Sequence, residues 1–127
     1  MSIRPLVAVV DDDASVCKAL TRLLRASNID VLSYSSALDF LENGESHNPD
    51  CIVLDIQMPA MNGIELRDRL NAHARHIPVV FITAHDDSEA REMALAGGAV
   101  AHLRKPFNDE DLLAAVERAL SEEKRKT

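Results

Sequence analysis

The chain has 127 residues, with 14 Lys and Arg against 21 Asp and Glu, and therefore a formal net charge of -7 at pH 7. This length predicts one domain, and 46% hydrophobic with 28% charged residues is typical of a globular protein. The acidic balance argues against direct nucleic-acid binding by charge. An aromatic content of 3% without Trp leaves few rings on which single-stranded bases stack.

The cysteines and the N-terminal residues indicate the cellular compartment of the protein. Cys17 and Cys51 lie in apolar segments, and we interpret them as buried thiols, not as a disulfide scaffold. The first residues contain no apolar signal-peptide core, and no stretch reaches the roughly 18 apolar residues that cross a membrane. The sequence therefore predicts a cytoplasmic protein with no membrane association.

Short apolar runs alternate with longer amphipathic segments along the chain. Leu6–Val10 is continuously apolar, which is typical of a strand buried on both faces. Apolar residues at helical spacing then predict a helix over 13–27. A weaker strand is predicted over 30–34, followed by a helix over 36–43 that ends at Gly44.

The second half of the chain repeats the alternation with clearer strands. Apolar runs predict strands over 52–54, 79–82 and 100–103. A loop with Pro59 and Gly63 leads into a helix that ends near Ala74, and further helices are predicted over 88–96 and 109–123.

Five strands that alternate with five helices imply right-handed crossovers and a parallel sheet covered on both faces. We therefore expect an α/β fold with a doubly wound, flavodoxin-like five-stranded parallel sheet and five helices in a three-layer sandwich. The whole of 1–127 is predicted to be one domain, with 121–127 as the start of a linker or tail. Functional residues are expected at the carboxyl ends of the strands.

Polar residues follow four of the predicted strands, namely Asp11-Asp12-Asp13, Asp55, Thr83-Ala84 and Lys105-Pro106. Buried carboxylates that lie close together need an opposing charge or a proton. Mg²⁺ binds such oxygen ligands, usually with waters and a phosphate. Any one Asp is equally suited to a turn or a helix cap, and we rank Asp13 as an outer contributor or helix cap.

Four segments then carry a family resemblance: Val9–Asp13, Asp55–Gly63, Thr83-Ala84 and Lys105–Phe107. In this order and spacing they resemble the receiver domain of two-component response regulators, over essentially the whole chain. Together with Ala99-Val100, the last segment resembles receivers of the nitrogen-fixation regulator group.

The resemblance implies a phosphorelay function. Asp55 would accept a phosphoryl group from a phosphohistidine of a sensor histidine kinase or a phosphotransfer protein. Mg²⁺, or alternatively Mn²⁺, would be held by Asp11, Asp12, Asp55 and the backbone carbonyl of Gln57. Catalysis would be mostly positioning and electrostatics, in a switch that phosphorylates and dephosphorylates itself and is not a turnover enzyme.

The resemblance also implies how the phosphoryl group is read. Lys105, the Thr83 hydroxyl and the Ala84 backbone N–H would bind its oxygens, and the Lys105–Pro106 bond is cis in the family. Many receivers have an aromatic switch residue three positions before the Lys, where this chain has His102, so its switch is expected to be altered or pH-sensitive. A surface histidine with no signalling role fits this position equally well.

Further residues are expected to adjust the rate at which the phosphoryl group is hydrolysed, or to form the output surface. Gln57 and His85 lie two residues after Asp55 and Thr83, where the family tunes hydrolysis of the phosphoryl group. The segment 88–123 would form the readout face and a homodimer contact, although its charges also suit a solvated surface. The remaining histidines are interpreted as surface residues: His47, His73 and His76.

Two other functions were weighed against the receiver. A Mg²⁺-dependent aspartyl-phosphate phosphatase is the main alternative, but haloacid-dehalogenase-type enzymes place an acid/base Asp where this chain has Gln57. A flavodoxin-like cofactor binder needs a phosphate loop rich in Ser, Thr and Gly after the first strand, where this chain has three aspartates.

Overall fold

The predicted alternation of strands and helices is present in the computed structural model, which describes residues 4–72, 76–84 and 88–125. The strands are β1 (Leu6–Val10), β2 (Asp30–Tyr34), β3 (Cys51–Asp55), β4 (Val79–Thr83) and β5 (Ala101–Arg104). The helices are α1 (Ala14–Ala26), α2 (Ala37–Asn43), α3 (Gly63–Ala72), α4 (Ser88–Ala96) and α5 (Asp109–Arg125), with a 3-10 turn over Glu45–His47.

All neighbouring strands are parallel, and they form one sheet in the order β2-β1-β3-β4-β5. The chain winds outward from β1 in one direction to β2 and in the other to β3. In open α/β sheets, ligands bind at this reversal, beyond the carboxyl ends of the strands. The doubly wound fold predicted from the alternation is confirmed.

Two cores form the three layers. Successive side chains of a strand face opposite sides of the sheet. In β1, Val7 and Val9 therefore pack with the apolar residues of α1 and α5, while Ala8 and Val10 pack with those of α2, α3 and α4. Because both faces are covered, the interior strands are apolar at nearly every position.

Side-chain caps set the first residues of several helices. Asp13 Oδ1 accepts from the Ser15 N–H at 2.9 Å, which confirms the predicted cap on α1. Asn108 Oδ1 accepts from the Asp111 N–H at 2.7 Å at the start of α5, where acidic residues also suit the helix dipole.

The structure departs from the sequence predictions in a few places. Cys51 is fully buried as expected, but Cys17 is only half-buried, since it lies on the edge of α1 beside the open end of the sheet. β5 begins at Ala101, one residue later than predicted. The predicted end of α3 near Ala74 lies outside the described residues. Among the helices that are described, none is long and apolar enough to cross a membrane.

Candidate functional site

The polar residues that follow the strands converge at the carboxyl edge of the sheet. Asp11 comes directly after β1, Asp55 is the last residue of β3, and Thr83 is the last residue of β4. Lys105 comes directly after β5. Parallel strands bring all of their carboxyl ends to one edge, so residues from distant parts of the sequence meet here.

Three carboxylates form an acidic cluster. One oxygen from each of Asp11, Asp12 and Asp55 lies within 4.8 Å of the other two. The side chains of Asp11 and Asp55 are buried, whereas Asp12 is exposed. Hard oxygen ligands on one side and open solvent on the other fit Mg²⁺, which keeps several waters in its coordination shell. A crevice of about 980 Å³ opens beside the cluster and is lined partly by Asp11 and Asp12.

Lys105 supplies the opposing charge. Its Nζ lies 2.8 Å from Asp11 Oδ2 and 3.7 Å from Asp55 Oδ1. Its backbone N–H donates to the Thr83 carbonyl at 2.7 Å, so the main chain at Lys105 is held to the end of β4. The peptide bond to Pro106 is cis, as the resemblance implied. A single ammonium between two buried carboxylates leaves the cluster with excess negative charge.

Burial and the charges of neighbouring groups shift the pKa values of Asp55 and Lys105. Burial, and then the negative charge of Asp11, raises the pKa of Asp55 to about 7. Lys105 and the Gln57 backbone hydrogen bond oppose that shift. Burial works against the charged form of Lys105, but its hydrogen bond to Asp11 and the charge of Asp55 outweigh burial, and the pKa of Lys105 is raised. Near neutral pH, a cation and a proton therefore compete for Asp55.

Backbone groups orient the carboxylates. The Gln57 N–H donates to Asp55 Oδ1 at 3.3 Å, and the Asp13 N–H donates to Asp11 Oδ1 at 2.9 Å. The Gln57 side chain is exposed. Gly63 lies so close that a Cβ there would be 2.4 Å from the Asp55 carbonyl oxygen.

The structure describes three of the five histidines, and their exposure differs. His102 lies half-buried on β5, paired in register with Phe81 of β4. His47 and His76 are exposed, as expected. His85, predicted to tune the rate, lies outside the described residues, as does His73.

Sequence reasoning missed Arg67, which is buried on α3. The signal was present, because Arg67 lies three residues after Ile64 and three before Leu70, on the apolar face of the helix. A charged residue on that face requires buried partners.

A protein-family model and known proteins are similar to this chain over most of its length. A family model described as response regulator receiver domain matches residues 7–117. Nodulation protein W of Bradyrhizobium diazoefficiens is 36% identical over 125 residues, which are 98% of this chain and 55% of that protein. The transcriptional regulatory protein FixJ of Azorhizobium caulinodans is 40% identical over 114 residues, which are 90% of this chain and 54% of FixJ.

A solved structure is similar over nearly its full length. The crystal structure of a response regulator receiver protein from Burkholderia phymatum is 52% identical, with a TM-score of 0.78, and the match covers 93% of this chain and 96% of that one. In contrast, the chain spans about half the length of the curated relatives it matches.

Proposed function

The chain belongs to the response regulator receiver family, the phosphoacceptor switches of two-component systems, and from that premise we propose that Asp55 is the residue phosphorylated. The observation that carries the proposal is the position of its carboxylate. It lies at the open edge of the sheet, 3.7 Å from Lys105 Nζ and next to the buried Asp11.

The chemistry follows from these contacts. An oxygen of Asp55 attacks the phosphorus of a phosphohistidine, a P–O bond forms as the P–N bond breaks, and the imidazole leaves with the bonding electrons. We assign the divalent cation, Mg²⁺ or Mn²⁺, to Asp11, Asp12, Asp55 and the Gln57 carbonyl, where it would neutralise charge on the phosphoryl oxygens. Lys105, whose Nζ lies 3.7 Å from Asp55 Oδ1, would bind one of those oxygens as a second cation.

We assign the readout to the ends of β4 and β5. The Thr83 hydroxyl and the Ala84 N–H would bind the remaining phosphoryl oxygens, which draws the end of β4 towards Asp55. His102 would respond on the neighbouring strand, with which β4 is in register. Gln57 and His85 would set how fast water removes the phosphoryl group.

The partners follow from the same premise. The phosphodonor is expected to be a sensor histidine kinase or a phosphotransfer protein in the cytoplasm, and the surface of 88–123 is expected to form a homodimer. The domain is expected to bind neither nucleic acid nor membrane by itself. As a receiver it is a signalling switch, and we infer that it cycles on one acyl phosphate without turning over a substrate. The relative FixJ is a transcriptional regulatory protein, and neither relative named above gives support to the phosphatase alternative.

The test is phosphorylation by a small donor. Wild type incubated with Mg²⁺ and acetyl phosphate is expected to gain one phosphoryl group by mass, and chelation of the metal is expected to prevent this gain. Asp55→Ala should not be labelled. His102→Phe, which leaves the acidic cluster intact, should be labelled like wild type. Labelling of Asp55→Ala at the same rate would overturn the assignment.

A further inference from the structure

Arg67 joins two helices through buried hydrogen bonds. It lies on α3 with 6% of its surface exposed. Its Nη1 donates to the Ala94 carbonyl at 2.9 Å and its Nη2 donates to the Met93 carbonyl at 3.3 Å. Both acceptors belong to the last turn of α4, and each also accepts a backbone N–H from the chain that follows the helix, Met93 from Gly97 and Ala94 from Ala99.

The charge of Arg67 suits this position. The C-terminal end of a helix carries partial negative charge, which a nearby cation stabilises. α4 has no basic residue in its own last turn, so α3 supplies the cation from outside. Arg67 Nε also donates to the largely exposed Asp68 carboxylate at 2.8 Å, which partly balances the buried charge.

The guanidinium also contacts the central sheet and the chain that leaves α4. Arg67 Cζ lies 5.5 Å from the centre of the Phe81 ring, two residues before Thr83 on β4. A Cβ on Gly97 would lie 2.2 Å from Arg67 Cζ, whereas a Cβ on Gly98 would meet open space. Gly98 has a positive φ of 93°. The two glycines therefore serve different needs: Gly98 allows the backbone turn, and Gly97 leaves room for Arg67.

We propose that Arg67 is a positioning residue that anchors the C-terminal end of α4 to α3 and β4. Movement of α4 is then confined to its N-terminal end, which follows Thr83 when the phosphoryl group is read. The anchor itself is a property of the unmodified chain. The direction of movement rests on the proposed function, because it requires a phosphoryl group on Asp55.

The first test measures the anchor without any phosphoryl group. Amide hydrogen exchange is followed by mass spectrometry in Arg67→Met, which keeps the apolar stem but removes the charge and the donors. Exchange in 93–97 should accelerate roughly tenfold or more, since two charge-assisted hydrogen bonds are lost. Exchange in the central strand β1 should remain as in wild type, and Arg69→Met, the same change at an exposed position of α3, should have no effect.

Conservative and steric variants separate anchoring from packing. Arg67→Lys retains a cation and should retain part of the protection in 93–97. Gly97→Ala should accelerate exchange there in wild type but have little further effect on Arg67→Met, because the two changes remove the same contact. Equal acceleration across the whole chain in Arg67→Met, or unchanged protection in 93–97, would overturn the proposal.

The second test measures the direction of movement. Beryllofluoride with Mg²⁺ mimics a phosphoryl group on a carboxylate. In wild type diluted so that it stays monomeric, it should change exchange in 88–92 but not in 93–97, and in monomeric Arg67→Met the change should extend through 97. A change throughout 88–97 in wild type would refute the confinement. If wild type does not respond to beryllofluoride, the proposed function and the direction of movement both fail, while the first test still decides the anchor.

Discussion

Three adjacent aspartates illustrate how differently identical side chains behave at this site. Asp11 is buried and bound to Lys105, Asp12 is exposed at the rim, and Asp13 caps α1. Burial first, and then the negative charges of Asp11 and Asp12, raise the pKa of Asp55. Asp55 thus couples the protonation of the site to the stability of the fold.

The stability of the metal-free chain should depend on Asp55. Its pKa rises from an ordinary value of 3.8 to about 7 in the folded protein, so the folded state holds this proton more tightly than the unfolded state. That stabilisation is fully present below about pH 4 and is lost as the pH rises through about 7. We expect the free energy of unfolding to decline over this window, and saturating Mg²⁺ to reduce the decline.

Urea denaturation between pH 4 and pH 8 measures this dependence, with Asp55→Asn as the control that has no titrating group. The difference in unfolding free energy between wild type and Asp55→Asn should change with pH in the absence of metal. A constant difference across this range would show that the Asp55 pKa is not raised.

At the level of elements, the connection from β3 to α3 places the site. Gly63 is the first residue of α3, and its N–H donates to the Ile56 carbonyl at 2.9 Å. It packs directly against the backbone of Asp55, so the start of α3 and the end of β3 are in close contact. Ala60, within the same connection, has a positive φ of 69°, which is strained for a residue with a Cβ.

Substitutions at Gly63 and Ala60 should therefore have opposite effects on the stability of the fold. Gly63→Ala puts a Cβ 2.4 Å from the Asp55 carbonyl oxygen and 3.1 Å from the Ile56 Cα. Since backbone must shift, we expect a loss of about 2 kcal/mol in unfolding free energy and slower phosphorylation by acetyl phosphate. Ala60→Gly relieves strain and should be at least as stable as wild type. Denaturant unfolding that shows Gly63→Ala to be as stable as Ala60→Gly would contradict this account.

For the whole molecule, the surface of α4 is the best candidate for self-association. Met93 and Leu95 on this helix are 52% and 43% exposed. Their helix carries the anchor at Arg67, and its start follows the end of β4. An apolar surface on the anchored end of the helix, next to a start that moves when the phosphoryl group is read, suits a contact that forms on phosphorylation.

We expect beryllofluoride with Mg²⁺ to convert the chain from monomer to dimer, as measured by sedimentation equilibrium. Met93→Asp should weaken the dimer at least roughly tenfold, since a carboxylate would be buried in an apolar contact. Leu38→Asp provides the control, because Leu38 is 59% exposed but lies on α2. A dimer weakened equally by both variants would place the contact elsewhere.

Local sequence patterns were sufficient to predict the strands and helices. The bounds of β2 and α4 agree with the predicted ranges, because hydrophobic periodicity and capping residues act over a few positions along the chain. The convergence of Asp11, Asp55, Thr83 and Lys105 also followed from the sequence, since the strands of a parallel sheet end at one edge. The roles proposed for these residues, and the extent of the domain, remain predictions.

Tertiary structure decided which charges are buried and what they contact. The sequence did not distinguish the buried Asp11 from the exposed Asp12, nor did it pair Arg67 with α4. The Lys105–Asp11 contact spans 94 residues and the Arg67–Ala94 contact spans 27. Such contacts depend on strand order and on the seating of each helix over the sheet. The sequence therefore determined the elements and the edge where the site lies, and only the packed molecule determined the charge balance and the anchor of α4.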